Sequence, residues 1–173
     1  MLQILPAIII IVAVIAAWTV FTQRKLVMLD ENISNAMSLI GAQMSSRFDV
    51  LMFLLELAKG YAVTGCEELM ETVRAERGVI MAKSAPDDVI QQEGVISDVF
   101  GKIVIASDRN PKLTADPNYI KAMDAMRTIE NMMHTSRLIY NDSAARLNRE
   151  IRMFPASVLA RILGLRQRDY LAE

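Results

Sequence analysis

Glu130 and His134 stand four residues apart with Arg137 three further on, and these are residue types that hold metals, move protons or grip anions. A di-metal site of the kind built inside helical bundles needs two Glu-x-x-His pairs at i,i+3 and two further inward carboxylates. Here His134 is the only histidine and follows Glu130 at i+4. The pair therefore reads as a partly solvated contact, and no metal site is expected. Cys66 is the only cysteine, which leaves no intrachain disulfide and no Cys-based cage. With Glu67 beside it, Cys66 reads as a small buried residue rather than a reactive thiolate. No glycine-rich phosphate loop follows a strand, and no Ser, His and Asp constellation is legible. No catalytic residue and no cofactor are expected, and the chain reads as non-enzymatic.

What the sequence does carry is a polar ladder. Glu130, His134, Arg137, Asn141, Ala145, Asn148 and Arg152 recur at steps of three and four, which places them on one side of a helix. Next to them runs an apolar stripe of Met126, Ile129, Met133, Tyr140, Ala144, Leu147, Ile151 and Phe154. Buried amides at a core margin fix register at some cost in stability, whereas exposed ones can recognise a partner. The position of Tyr140 and Leu147 beside Asn141 and Asn148 favours the register seam, with partner recognition as the alternative.

A helix long enough to hold this ladder begins at Asp116-Pro117, a cap followed by a first-turn proline, and is broken or kinked at Pro155. A short amphipathic piece with Val158, Leu159, Ile162 and Leu163 then ends at Gly164. Upstream, Leu26, Leu29, Ile33, Met37, Ile40, Met44, Phe48, Leu51, Leu55, Ala58 and Tyr61 recur at helical spacing without a proline. Thr64 with Glu67 fits a capping box for a second helix over about 66–83. Pro86-Asp87-Asp88 opens a third helix that ends near Ser107; its Val-Ile run lacks a second strand to pair with. The expected fold is all-α: an up-and-down antiparallel four-helix bundle with a short C-terminal helix.

From Leu2 to Phe21 the chain runs without a charge, which matches the roughly 20 residues needed to cross a bilayer. Trp18 lies near the far end, where aromatic rings favour the interface. No Lys or Arg precedes the run, which disfavours a cleaved signal peptide. Arg24 and Lys25 follow directly, so positive charge lies on the C-terminal side and the remainder of the chain is expected in the cytoplasm. Residues 1–23 form the expected anchor and 24–173 the bundle. No glycine or proline falls between Ala7 and Gly41, so the span is expected to run into the first bundle helix as one rod.

The 173-residue composition is 53% hydrophobic but only 6% aromatic, which suits aliphatic helical packing. The net charge of −1 offers no basic excess for an obligatory nucleic-acid partner. The end of the chain is locally basic. Arg161, Arg166 and Arg168 beside Leu159, Ile162 and Leu163 either meet anionic headgroups or form a solvated helix end.

The chain resembles the LemA family of membrane-anchored helical proteins. The resemblance rests on Ile129-Glu130, Arg137, Tyr140-Asn141, Asn148, Phe154-Pro155 and Ala160 in the tail half. It also rests on Pro111-x-Leu113-x-Ala115 with Tyr119, and on Leu26-Val27-x-Leu29-Asp30, Arg47-x-Asp49 and Lys59-Gly60-Tyr61-Ala62. The chain departs from the family at Met52-Phe53 and around Val63-Thr64-Gly65, where a Pro-Asn and a His-Glu pair are usual. The resemblance implies a single-pass protein of a bacterial inner membrane with a four-helix bundle and no established catalytic activity. Some relatives take part in building magnetosome organelles. The function expected is a scaffold or adaptor for other membrane proteins, with the bilayer as a partner and a homo-oligomer left open. A sensor or regulator of envelope stress or proteolysis is the alternative, and a metal-binding bundle enzyme comes third.

Overall fold

The computed structural model describes residues 4–171, and Leu2 of the expected span lies outside them. Among the described residues the fold is all-α, with no strand. Helix α1 runs from Ile4 to Gly60 as one element, so nothing breaks it at residue 23. Its first part is long and apolar enough to cross a membrane and is exposed almost throughout. Its second part changes character at Leu26, where the expected periodic stripe goes under cover. Leu26, Met37, Ile40, Met44, Phe48 and Leu51 are fully buried, and Leu29 is partly covered.

Helices α2 (Cys66–Glu76), α3 (Pro86–Ser107), α4 (Pro111–Thr114), α5 (Pro117–Glu150) and α6 (Ala156–Ile162) follow. The sense of each against α1 is fixed by its contacts. Lys59 pairs with Glu67, at 2.7 Å, and Arg77 with Asp49, at 2.8 Å, so α2 runs back along α1. Helix α5 is likewise antiparallel: Tyr61 meets Asp116, at 2.6 Å, Arg47 meets Met133, at 3.7 Å, and Lys25 meets Glu150, at 2.6 Å. Helix α3 runs with α1, from Glu93 near Arg47 to a loop where Asn110 donates to the Tyr61 carbonyl, at 3.1 Å.

The packing is centred on α1 and does not form a ring of four equivalent helices. Helix α5 covers α1 along most of its buried length, while α2 and α3 pack on α1 and on each other. Helices α3 and α5 are not packed backbone to backbone, and side chains span the cleft between them.

The second helix is shorter than its periodicity suggests. It stops at Glu76, and residues 77–85 cross α1 as a non-helical strap. A Cβ on Gly41 would lie 2.2 Å from the Ile80 carbonyl oxygen, so only glycine lets the strap approach this closely. Gln92 then ties the strap down: its Oε1 accepts from the Gly78 N–H at 2.6 Å and its Nε2 donates to the Glu76 carbonyl at 3.1 Å. The Thr64 capping box does not form; Gly65, in left-handed conformation at φ 85, precedes α2, and Glu67 reaches to Lys59 instead. The Val-Ile run is helical, with Ile103 buried in α3. Asp88 accepts from the Ala85 N–H, at 2.9 Å, and Asp116 from the Asn118 N–H, at 2.7 Å, so both expected acidic starts are used.

Candidate functional site

At the end of α6 the chain reverses. The Gly164 N–H donates to the Arg161 carbonyl, at 3.1 Å, and the Leu165 N–H to the Ala160 carbonyl, at 3.0 Å, with Gly164 at φ 68. This is the double bond pattern by which a left-handed glycine closes a helix. Residues 165–171 then run back along α5, and the asparagines of the ladder hold them. Asn148 donates through Nδ2 to the Arg168 carbonyl and accepts the Arg168 N–H on Oδ1, both at 2.8 Å. Asn141 makes the same two bonds to Leu171, both at 2.9 Å. Between them, the Tyr140 hydroxyl donates to the Asp169 carbonyl, at 3.1 Å.

The spacing of seven follows from geometry. Seven helical residues advance about 10.5 Å, and three extended residues advance about 10 Å. Two amide forks seven apart on α5 therefore meet residues 168 and 171 of an extended tail. Each amide substitutes for a neighbouring strand and satisfies backbone groups that burial would otherwise strand. Asn148 is buried, and so is Leu171, which joins the hydrophobic core. Burial raises the Tyr140 hydroxyl above the ordinary tyrosine range, Arg168 partly opposing. Arg168 also reaches Asp30 of α1, at 2.7 Å, so the tail ties α5 to α1.

The upper part of the ladder does something different. Arg47, Glu93, Ser97, Glu130, Met133, His134 and Arg137 line a cleft of about 280 Å³ between α3 and α5. Glu93 pairs with Arg137 and so bridges the two helices. Arg47, only 8% exposed, forms its floor. Among the described residues its guanidinium finds no hydrogen bond to oxygen: Nη1 lies 3.7 Å from the Met133 sulfur and 3.9 Å from Glu93, and Nε has no partner. Burial pushes Arg47 below the ordinary arginine value, Glu130 opposing. Arg137 is pushed the same way by burial and by the charge of Arg47.

The family model for LemA proteins matches residues 36–173, most of the chain. The chain belongs to the LemA family. No curated protein matches it as a relative. The match begins inside α1, so the apolar segment of this LemA protein is identified by its own composition and length.

Within the LemA chain the ladder residues separate by level. Glu130, His134 and Arg137 line the cleft, Asn141 and Asn148 grip the tail, and Arg152 lies exposed in the turn after α5. Glu130 and His134 are themselves exposed, and among the described residues no group of three His, Cys, Asp or Glu is placed to hold a metal. Cys66 is buried, and that burial pushes its thiol up, Lys59 opposing. Trp18 and Phe21 stand on the apolar part of α1, the latter 72% exposed. Glu93 and Leu171 escaped the sequence reading, and Arg168, expected at headgroups or on a solvated helix end, instead pairs with Asp30 and Asn148. Glu93 sits in a polar Gln-Gln-Glu run that looks solvated. The tail carried a weak signal, apolar residues at 165 and 171 in an otherwise charged segment facing an unexplained ladder of amides.

Proposed function

We propose that this LemA protein is a single-pass, non-enzymatic scaffold or adaptor in a bacterial inner membrane, its helical bundle on the cytoplasmic side. The observation that carries the reading is the continuity of α1: the segment apolar enough to span is the same helix around which the other helices pack. An adaptor needs its bundle coupled to its membrane, and one uninterrupted helix supplies that coupling without a hinge. Arg24 and Lys25 beyond the apolar run support the cytoplasmic side. Met132, Leu138 and Ile139, each about half exposed on α5, supply apolar contact area for another membrane protein or for a second copy.

The test is a photo-crosslinking amino acid at Leu138 or Ile139 of the full chain in native membranes. A discrete adduct that disappears when the probe moves to Val79 supports the adaptor reading. Absence of adducts, or identical adducts from all three positions, overturns it. An alkaline-phosphatase reporter after Glu173 tests the side, and strong activity, which requires export, contradicts the cytoplasmic placement.

One observation favours the alternative of a ligand-responsive regulator, namely the under-partnered Arg47 at the floor of the cleft. If the cleft serves a ligand, phosphate or succinate raises the melting temperature beyond chloride at matched ionic strength, and Arg47→Met abolishes the difference.

A further inference from the structure

The turn after α5 and the helix that follows it carry exposed apolar side chains that the packing does not explain. Phe154 is 83% exposed and Ile162 75%, with Met153 and Val158 more than half exposed. Helix α6 packs on α1 through buried Ala156 and Ala160, which leaves Val158 and Ile162 facing outward. Four large apolar side chains gathered in this way mark a surface meant to be covered.

Where this corner sits decides what covers it. Met153, Phe154, Pro155 and Ala156 share one recess with Trp18, Phe21, Thr22 and Lys25 of α1. Trp18 and Phe21 close the apolar run, and charge first returns at Arg24. Lys25, just beyond, pairs with Glu150 at the end of α5, at 2.6 Å. The turn is therefore level with the end of the span, the depth at which aromatic rings and long basic side chains meet the headgroups. Arg152 and Arg161, both exposed, flank the apolar residues as an interfacial element requires.

We propose that residues 153–162 form a second membrane contact, a foot whose Phe154, Val158 and Ile162 enter the interface of the same bilayer that α1 spans. The occupant is lipid because the surface is continuous with the lipid-facing part of α1, and any bilayer around Trp18 and Phe21 reaches Phe154. The inference rests on α1 being a span, and the experiment separates the two.

The full chain, with Cys66→Ser, is spin-labelled singly at Phe154→Cys, Ile162→Cys, Val79→Cys or Val14→Cys and placed in phosphatidylethanolamine–phosphatidylglycerol nanodiscs. Collision with oxygen and with a nickel chelate reports depth. Labels at 154 and 162 are expected about 5–10 Å into the headgroup and acyl boundary. The label at 79, exposed beside the Ile80 that seats on Gly41 and so some 30 Å along α1 from Phe21, is expected in water. Aqueous labels at 154 and 162 with a membrane-embedded label at 14 overturn the foot and leave the span standing. An aqueous label at 14 overturns both. Labels shielded from both reagents mean that protein covers the corner, and this also refutes a lipid contact. Phe154→Trp in a Trp18→Phe chain, quenched by brominated lipid only if the foot is inserted, gives the same decision without altering Cys66.

Discussion

Replacing Asn148 with leucine removes both hydrogen bonds to Arg168 while keeping the branched shape and heavy-atom count of the side chain. At about 1 kcal/mol net for each bond, the tail loses about 2 kcal/mol of attachment. That corresponds to roughly a 30-fold rise in the open population. Asn141→Leu, at a partly exposed site, is expected to cost somewhat less, and the double variant less than the sum. Once the tail has peeled away, there is nothing further for the second change to release. The helices themselves lose Leu171 from their core and the partly buried Leu165 from its margin, so the main unfolding transition should shift modestly. Hydrogen exchange read by mass spectrometry on the full chain in detergent is the direct assay, because the Arg168 and Leu171 amides donate to these two side chains. The reasoning fails if residues 165–171 of the double variant exchange as slowly as in the unaltered chain. It also fails if α5 unfolds in parallel with the tail, since the amides would then be holding helices together and not a strand.

Four further outcomes can be checked on the same material. Gly41→Ala must displace the Ile80 backbone and is expected to cost about 1–3 kcal/mol of stability, read from the urea midpoint. Arg47→Met removes a buried charge without breaking a hydrogen bond to oxygen, so the midpoint should hold or rise; Arg137→Met takes away the close partner of Glu93, leaving it only Arg47 at 3.9 Å, and should cost about 1–2 kcal/mol, discounted for partial exposure. The Tyr61 hydroxyl, first, and the Asn118 N–H hold the Asp116 carboxyl below its usual value, and the same hydrogen bond raises Tyr61. A depressed acid stabilises the fold above its unfolded value of about 3.9 and ceases to do so as pH falls through the lower folded value. A raised tyrosine stabilises below about pH 10 and ceases to do so as pH rises through its folded value. Tyr61→Phe should flatten the acid limb of a midpoint-against-pH curve, while an alkaline limb persists from Tyr140.

Periodicity made most helices legible, because burial on one side of a helix repeats every 3.6 residues regardless of what covers it. The stripe from Leu26 to Ala58 is the clearest case. The end of α2 was not legible, since its limit is set by a long-range event, the seating of Ile80 on Gly41, and not by a local breaker. The ladder illustrates the same division. Its residues and their common side were readable, but what an amide faces depends on where a distant segment returns. Asn141 and Asn148 meet a tail that begins beyond Gly164, and Arg137 meets Glu93 across a gap between helices that the sequence does not record.

On the reading proposed above, the unbroken course of α1 makes the protein a lever. From Phe21 at the membrane boundary to Gly60 is about 39 residues, or roughly 58 Å of helix. Tilting is one way a transmembrane helix accommodates a bilayer that thickens or thins. A rotation of about 10° at the base sweeps the far end through some 10 Å, a displacement comparable to the diameter of a helix. Small adjustments to lipid thickness are thereby geared up into large movements at the distal end, where Tyr61 and Asp116 join the helices.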